Sequence, residues 1–351
     1  STISAGLIST VFGCTGPCLV TAAAAAAAGF TLEETVTWIF GIYVFGGLLG
    51  VILATYYKMP ISGAYSIPGA TLMGTALAGY SFNEAAFAFI IAGVIVLAIG
   101  LTGAIGKIMK FLPLEIVMAM VAGAMMKFGA GIVTTTTGNP LVCGAAVLAF
   151  FLVPRIIKKC PAVVAALIVG FVVAFVSGQF TADLSGMSYI APQIVIPKFN
   201  AQLILSCSIP LAALVMGAEN AQAMGVLKTE GYDVPANAMT VWSGVGGIIS
   251  GLFGAHNANI AGPMTAICAS SETGPKEGRY AASVVNGLTF ALFGVVGVYA
   301  ITFVGGFPAG LANCLAGLAM MNVLIGSLKS AFASGKFKYG AFAAFCVGLS
   351  G

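Results

Sequence analysis

Apolar runs of about 20 residues, the length a helix needs to cross a hydrocarbon core about 30 Å thick, recur from end to end of the chain. Short polar connections separate them. The pattern predicts helical spans at about 4–28, 35–57, 62–79, 83–106, 112–134, 139–156, 160–178, 202–226, 236–253, 255–270, 280–304, 308–328 and 339–351. These thirteen spans describe an all-α polytopic membrane protein.

The third and tenth spans break the pattern. Gly63-Ala64-Tyr65-Ser66-Ile67-Pro68-Gly69-Ala70 and Gly254-Ala255-His256-Asn257-Ala258-Asn259-Ile260-Ala261 interrupt apolar sequence with turn formers and polar side chains. Irregular backbone at membrane depth is tolerated where it is buried in protein or lines a cavity. A matched pair of such breaks marks a transporter's binding site. Proline suits the first turn of a helix, so Pro68 and Pro263 are expected to start two half-helices after extended approaches at 59–66 and 254–261. Spans three and ten run in opposite directions. The two positive helix ends should therefore meet near the midplane, where they suit an anion. An ordinary proline-kinked helix is the simpler alternative.

The units on either side of the middle of the chain correspond. Trp38 in Thr35-Val36-Thr37-Trp38 matches Trp242 in Thr240-Val241-Trp242, each on the span before a broken one, and Glu84 and Glu277 each open the span after it. Seven spans are an odd number, so the second unit enters from the opposite side and the repeat is inverted. The second unit stops one span short at Gly351, and a missing fourteenth span is the expectation. Ser1 follows no initiator Met, so the start is expected to be trimmed.

Composition agrees: 60% of the 351 residues are hydrophobic and 7% charged, against about 25% charged in soluble domains. Twelve of the 14 Lys and Arg (Lys58, Lys107, Lys110, Arg155, Lys158, Lys159, Lys228, Lys276, Arg279, Lys329, Lys336, Lys338) fall in even-numbered connections. Lys198 falls in an odd one and Lys127 within span five. By the positive-inside rule the even connections and the N-terminus are cytoplasmic. The net charge of +4 thus reports orientation and gives no reason to expect nucleic acid. Eight cysteines without a C-x-x-C pair read as small packing residues.

Glu219 lies inside span eight, where a charge costs roughly 3 kcal/mol on insertion scales and is functional by default. A titratable carboxyl there suits proton coupling; a hydrogen bond to a neighbouring span is the packing alternative. His256, the only histidine, sits in the tenth-span break opposite Tyr65. It is read either as a satisfied core group or as a second proton or substrate group. Tyr65, Ser66, Asn257 and Asn259 offer hydrogen-bonding groups, or else satisfy the broken backbone. No second His or Cys lies at metal-ligand spacing. No Walker A, Rossmann or nucleophile-elbow motif is present, so no cofactor, metal or catalytic residue is expected.

Several segments together resemble the benzoate/proton symporters, distant relatives of the uracil and xanthine permeases. They are Thr15-Gly16-Pro17, Tyr65-Ser66-Ile67-Pro68-Gly69-Ala70 (Trp-Ser-Thr-Pro-Gly-Ala in the family), Asn220 with Gly231-Tyr232, Phe253-Gly254 through Ala266-Ile267-Cys268, Arg279-Tyr280-Ala281-Ala282 and Leu315-Ala316-Gly317-Leu318-Ala319. The resemblance covers essentially the whole chain. It implies a fourteen-span, seven-plus-seven inverted repeat. The core domain would comprise 1–110 and 202–305, the gate domain 111–180 and 306–351, with an outer connection at 181–201. Substrate would bind between spans 3, 8 and 10, which makes Tyr65, Ser66, Pro68, Gly69, Glu219, Asn220, His256, Asn257 and Asn259 the binding candidates. Glu219 and His256 are the proton-coupling candidates.

The expected function is proton-coupled uptake of benzoate or a similar aromatic carboxylate across a bacterial inner membrane. The benzoate group usually has Gln at the position of Glu219 and the nucleobase permeases Glu, so a nucleobase/proton symporter is the alternative. A passive anion channel and a membrane-embedded enzyme follow. Related folds often dimerise, but no interface is legible in the sequence.

Overall fold

Proline and glycine decide where the helices of this chain break. The computed structural model describes residues 2–105, 107, 113–157, 160, 162–183, 185, 187–308 and 310–350. Lys110, Lys158, Lys159 and the side chain of Lys127 lie outside the described residues. The first span is two helices, α1 (Thr2–Cys14) and α2 (Gly16–Ala28), joined at Thr15. Pro17 has no N–H to give the Gly13 carbonyl. That carbonyl instead accepts from the Tyr43 hydroxyl at 2.6 Å and the Tyr65 hydroxyl at 3.3 Å.

Helix α3 (Leu32–Tyr57) opens on a reciprocal capping box between Thr31 and Glu34. Strand β1 (Gly63–Tyr65) and helix α4 (Ile67–Ala76) follow. Helix α5 (Phe82–Leu101) opens on a second capping box, between Ser81 and Glu84. Next come α6 (Leu114–Gly138), α7 (Val142–Ile156) and α8 (Ala162–Val176).

Residues 187–200 form no helix. They cross to α9 through hydrogen bonds from Val195 N to Leu252 O (2.7 Å) and from Lys198 N to Asn83 O (2.9 Å), with Lys198 paired to Glu84 at 3.3 Å. Helix α9 (Ala201–Thr229) is 29 residues long and apolar enough to span a membrane. It contains two π segments, Ile204–Ser208 and Val215–Asn220. Helix α10 (Ala236–Gly251), strand β2 (Ala258–Ile260) and helix α11 (Gly262–Ala269) repeat the earlier helix, strand, short-helix order.

The eleventh span does not run straight through 280–304. Helices α12 (Tyr280–Val295) and α13 (Gly297–Gly305) meet at Val296 with a bend of 96°, a corner flanked by Gly294 and Gly297 as sharp kinks commonly are. Helices α14 (Leu311–Phe332) and α15 (Lys338–Ser350) complete the chain.

Packing depends on backbone-to-backbone approach. A Cβ on Gly46 of α3 would lie 2.3 Å from the Ala64 carbonyl oxygen in β1, and one on Gly246 of α10 would lie 2.3 Å from the Ala258 carbonyl oxygen in β2. Only glycine lets a helix lie this close to a strand, as small residues do at membrane helix interfaces. Buried apolar side chains gather in two large clusters. One includes Trp38, Tyr43, Tyr65, Phe89, Met264 and Phe290. The other joins α7, α8 and α14 through Val142, Ala146, Phe150, Ala166, Leu311 and Leu315.

Candidate functional site

The two interrupted segments lie side by side. Strands β1 and β2 pair antiparallel, with Gly63 opposite Ile260 and Tyr65 opposite Ala258. Each strand feeds a short helix with proline in its first turn: Pro68 in α4, Pro263 in α11. The Ser66 hydroxyl caps α4 by accepting from Gly69 N at 3.0 Å.

Both helix starts converge on one side chain. Glu219 Oε1 accepts from the backbone N–H of Ile67 at 3.3 Å, and Oε2 accepts from that of Gly262 at 3.0 Å. The first N–H groups of any helix lack intrahelical partners and carry partial positive charge. A carboxyl spanning two such ends answers both needs at once. Glu219 is 2% exposed and sits in the second π segment of α9, a widened turn of a kind frequent at functional sites. The other end of α11 is answered by Arg279, whose Nη1 donates to the Ala269 carbonyl at 2.6 Å and pairs with Glu230 at 2.7 Å. Nearby, outside the spans, burial pushes the Tyr232 phenol above the usual tyrosine range, and its hydroxyl donates to the Lys276 carbonyl at 2.9 Å.

His256 is fully buried and bonded at both ring nitrogens. Trp38 Nε1 donates to Nδ1 at 2.7 Å. An indole N–H can only donate, so Nδ1 is the acceptor. The proton is therefore on Nε2, which donates to the Ser66 carbonyl at 2.9 Å. This neutral imidazole ties α3 to the start of α4. Tyr65, 1% exposed, is turned into aromatic packing beside Tyr43, Phe290 and His256, and its hydroxyl meets that of Tyr43 at 2.9 Å.

The buried amides are only partly bonded. Asn220 Oδ1 accepts from Ser243 Oγ at 2.9 Å, and Ser243 Oγ accepts from Ile260 N at 3.2 Å. Asn259 Nδ2 donates to the Ile260 carbonyl at 3.0 Å. Among the described residues, Asn220 Nδ2, Asn259 Oδ1 and both polar atoms of the Asn257 side chain have no hydrogen-bond partner. Asn257 also holds φ +46°, a conformation Asn tolerates better than most residues.

The residues singled out from the sequence therefore divide. Glu219, Ser66, Pro68 and Gly69 gather with Ile67 and Gly262 at the two helix starts, and Asn220 lies beside Glu219 in the chain. Tyr65 and His256 are engaged in the aromatic packing. Motif reading pointed to two helix starts that would suit an anion but not to Ile67 and Gly262 as the donors or Glu219 as their acceptor, and it missed the bond from Trp38, which joins residues 218 apart. A cleft of about 320 Å³ opens between α6, α9, α11 and α14; its lining includes Met118, Thr229, Ala266 and Ser327 and, at Glu230 and Glu272, two carboxyl side chains. Among the described residues no group of three His, Cys, Asp or Glu side chains could hold a metal ion.

Comparison with known proteins adds a family and a fold. The family described as "Benzoate membrane transport protein" matches residues 1–351. "Inner membrane protein YdcO" of Escherichia coli (strain K12) is 29% identical, over 100% of this chain and 90% of that protein. A "Benzoate membrane transport protein" of Acinetobacter baylyi is 26% identical, over 99% of this chain and 88% of the relative. Among solved structures, the transmembrane domain of the cyanobacterial bicarbonate transporter BicA is similar, with a TM-score of 0.59 and 15% identity over 99% of this chain and 95% of that one. The murine anion transporter Slc26a9, in an inward-facing state, gives 0.56 and 14% over 99% of this chain and 63% of that one.

Proposed function

The chain belongs to the benzoate membrane transport protein family, and from that premise we propose that it takes up benzoate or a related small aromatic carboxylate together with a proton, by alternating access in a bacterial inner membrane. One observation carries the reading: a single buried carboxyl, Glu219, accepts from the starts of both α4 and α11. The donors that hold Glu219 are those a substrate carboxylate would seek. Two carboxylates in one water-poor place repel strongly. A proton on Glu219 removes one of the two charges and frees helix-end donors for the substrate. Substrate and proton then travel as a pair.

His256 has no part in this exchange, because both its nitrogens are already bonded as a neutral ring. The aromatic side chains around Tyr65 form the wall near the site. The A. baylyi relative is named as a benzoate transport protein, and the E. coli relative as an inner membrane protein.

Architecturally, the reading is an inverted repeat whose core domain holds 1–110 and 202–305 and whose gate domain holds 111–180 and 306–351. It is supported by the paired strands and by the matching approaches of Gly46 to Ala64 and Gly246 to Ala258. The cleft between α6 and α14 on one side and α9 and α11 on the other is then the cytoplasmic route. Ala266, which lines it, lies four residues, about 6 Å of helix rise, from Gly262. The N-terminus faces the cytoplasm, and a homodimer is the assembly the reading favours.

The test is uptake into proteoliposomes of benzoate, salicylate, uracil and xanthine, with and without an inward proton gradient. Saturable, gradient-driven accumulation of the carboxylates is expected. Preference for uracil or xanthine would assign a nucleobase symporter, with Glu219 accepting from ring N–H groups. Flux insensitive to the proton gradient would assign a passive pathway.

A further inference from the structure

Gln222 lies three residues after Glu219, on the same face of α9, and is 4% exposed. Its side chain rests directly on Gly262. A Cβ on Gly262 would lie 2.5 Å from Gln222 Cδ and 2.6 Å from Cγ and Oε1. Gly262 is also the residue whose N–H holds Glu219 Oε2. The carboxyl of Glu219, the first residue of α11 and the carboxamide of Gln222 are thus assembled at one point. Yet the Gln222 amide nitrogen, buried beside this cluster, has no hydrogen-bond partner among the described residues. Buried amide donors are nearly always bonded, and one left alone next to a binding site calls for an explanation.

We infer that Gln222 is the side chain that reads the carboxylate of the substrate, donating from Nε2 to one oxygen while the start of α11 donates to the other. This assignment rests on the carboxylate reading of the site. A carboxylate presents two acceptor oxygens and no donor. The surroundings offer the complement: the backbone N–H groups of Ile67 and Gly262 and the Gln222 amide. Glycine at 262 is required for the same reason, since any side chain there would push the carboxamide away. A neutral donor suits a transported anion. It selects for the carboxylate yet holds it less tightly than a fixed positive charge, which favours release.

The experiment is equilibrium binding to the full chain in nanodiscs, with radiolabelled benzoate displaced by unlabelled benzoate or by benzamide. Gln222→Met keeps the length and removes the donor, and Gln222→Asn keeps the donor but withdraws it by one methylene. Hydrogen bonds to charged groups are worth more than those to neutral ones. Gln222→Met should therefore weaken benzoate about tenfold or more and benzamide less, so the benzoate-to-benzamide affinity ratio falls. Gln222→Asn should fall between. A general loosening of the fold would weaken both ligands alike, and thermal unfolding of each variant identifies it. If either well-folded variant keeps the affinity and the ratio of the unmodified protein within about twofold, Gln222 does not read the carboxylate. An unmodified protein that binds uracil in preference to every carboxylate overturns the functional reading itself, and this inference with it, before any variant is made.

Discussion

Glu219 does for two helices what an N-cap side chain does for one, and its energetics follow from that geometry. Gln at this position keeps one acceptor oxygen and the size but cannot titrate. Glu219→Gln should therefore leave benzoate counterflow within about tenfold of the unmodified rate, reflecting one weakened hydrogen bond. Uphill accumulation driven by a pH gradient should be abolished. Paired counterflow and accumulation assays read both. At His256 the expectation is structural. Trp38→Phe removes the donor to Nδ1, leaves a buried acceptor unpaired and should cost about 1–3 kcal/mol of stability without moving the pH dependence of transport. Thermal unfolding in detergent and a pH profile of uptake check this. Glu219 was legible in the sequence because a carboxyl in an apolar run announces itself. The state of His256 was not, since it is set by an indole 218 residues away. The backbone donors at 67 and 262 were legible only indirectly, through the prolines that follow them.

Among elements, the strands and the glycines beside them carry the site. Gly46→Ala and Gly246→Ala would each place a methyl 2.3 Å from a strand carbonyl, and backbone cannot yield as a side chain can. Each substitution should cost about 1–3 kcal/mol or more and lower transport by disturbing the strand pair. Gly217→Ala, where no atom beyond its own stretch of helix lies within 4 Å of the added carbon, should leave stability unchanged or raise it by up to about 1 kcal/mol. Thermal melting and uptake of the three variants provide the comparison; equal effects at all three positions would contradict it. Helices were readable because twenty apolar residues have few other fates, and the two breaks because each sets Gly and Pro among clustered polar residues; a lone Gly46 or Pro154 stays within its helix. The division of α1 from α2 at Thr15 could have been read from Pro17. The 96° corner at Val296 has Gly294 and Gly297 beside it, but glycines also sit within unbroken helices here, such as Gly46 in α3, and the π segments of α9 carry no side-chain signature.

Across the whole molecule, sidedness and coupling can both be measured. With the partly or fully exposed thiols Cys160 and Cys346 replaced by Ser, a cysteine at Lys276 should react with an impermeant reagent only from the cytoplasmic side and one at Lys198 only from outside. Sealed and inverted vesicles test this, and labelling of position 276 from outside would overturn the orientation. A cysteine at Thr229, which lines the cleft and is exposed, should react from the cytoplasmic side and be slowed by saturating benzoate. The most direct test of the central claim is proton movement in proteoliposomes that trap a pH-sensitive dye, with equal pH on both sides and a benzoate gradient imposed from outside. At pH 8 an ordinary carboxylic acid is almost wholly ionised, so carriage by the neutral acid through the lipid is small; protein-free liposomes measure what remains. Saturable, benzoate-dependent acidification of the lumen above that background is expected, and its loss in Glu219→Gln. Benzoate entry without protein-dependent acidification, or acidification undiminished in Glu219→Gln, would contradict that claim.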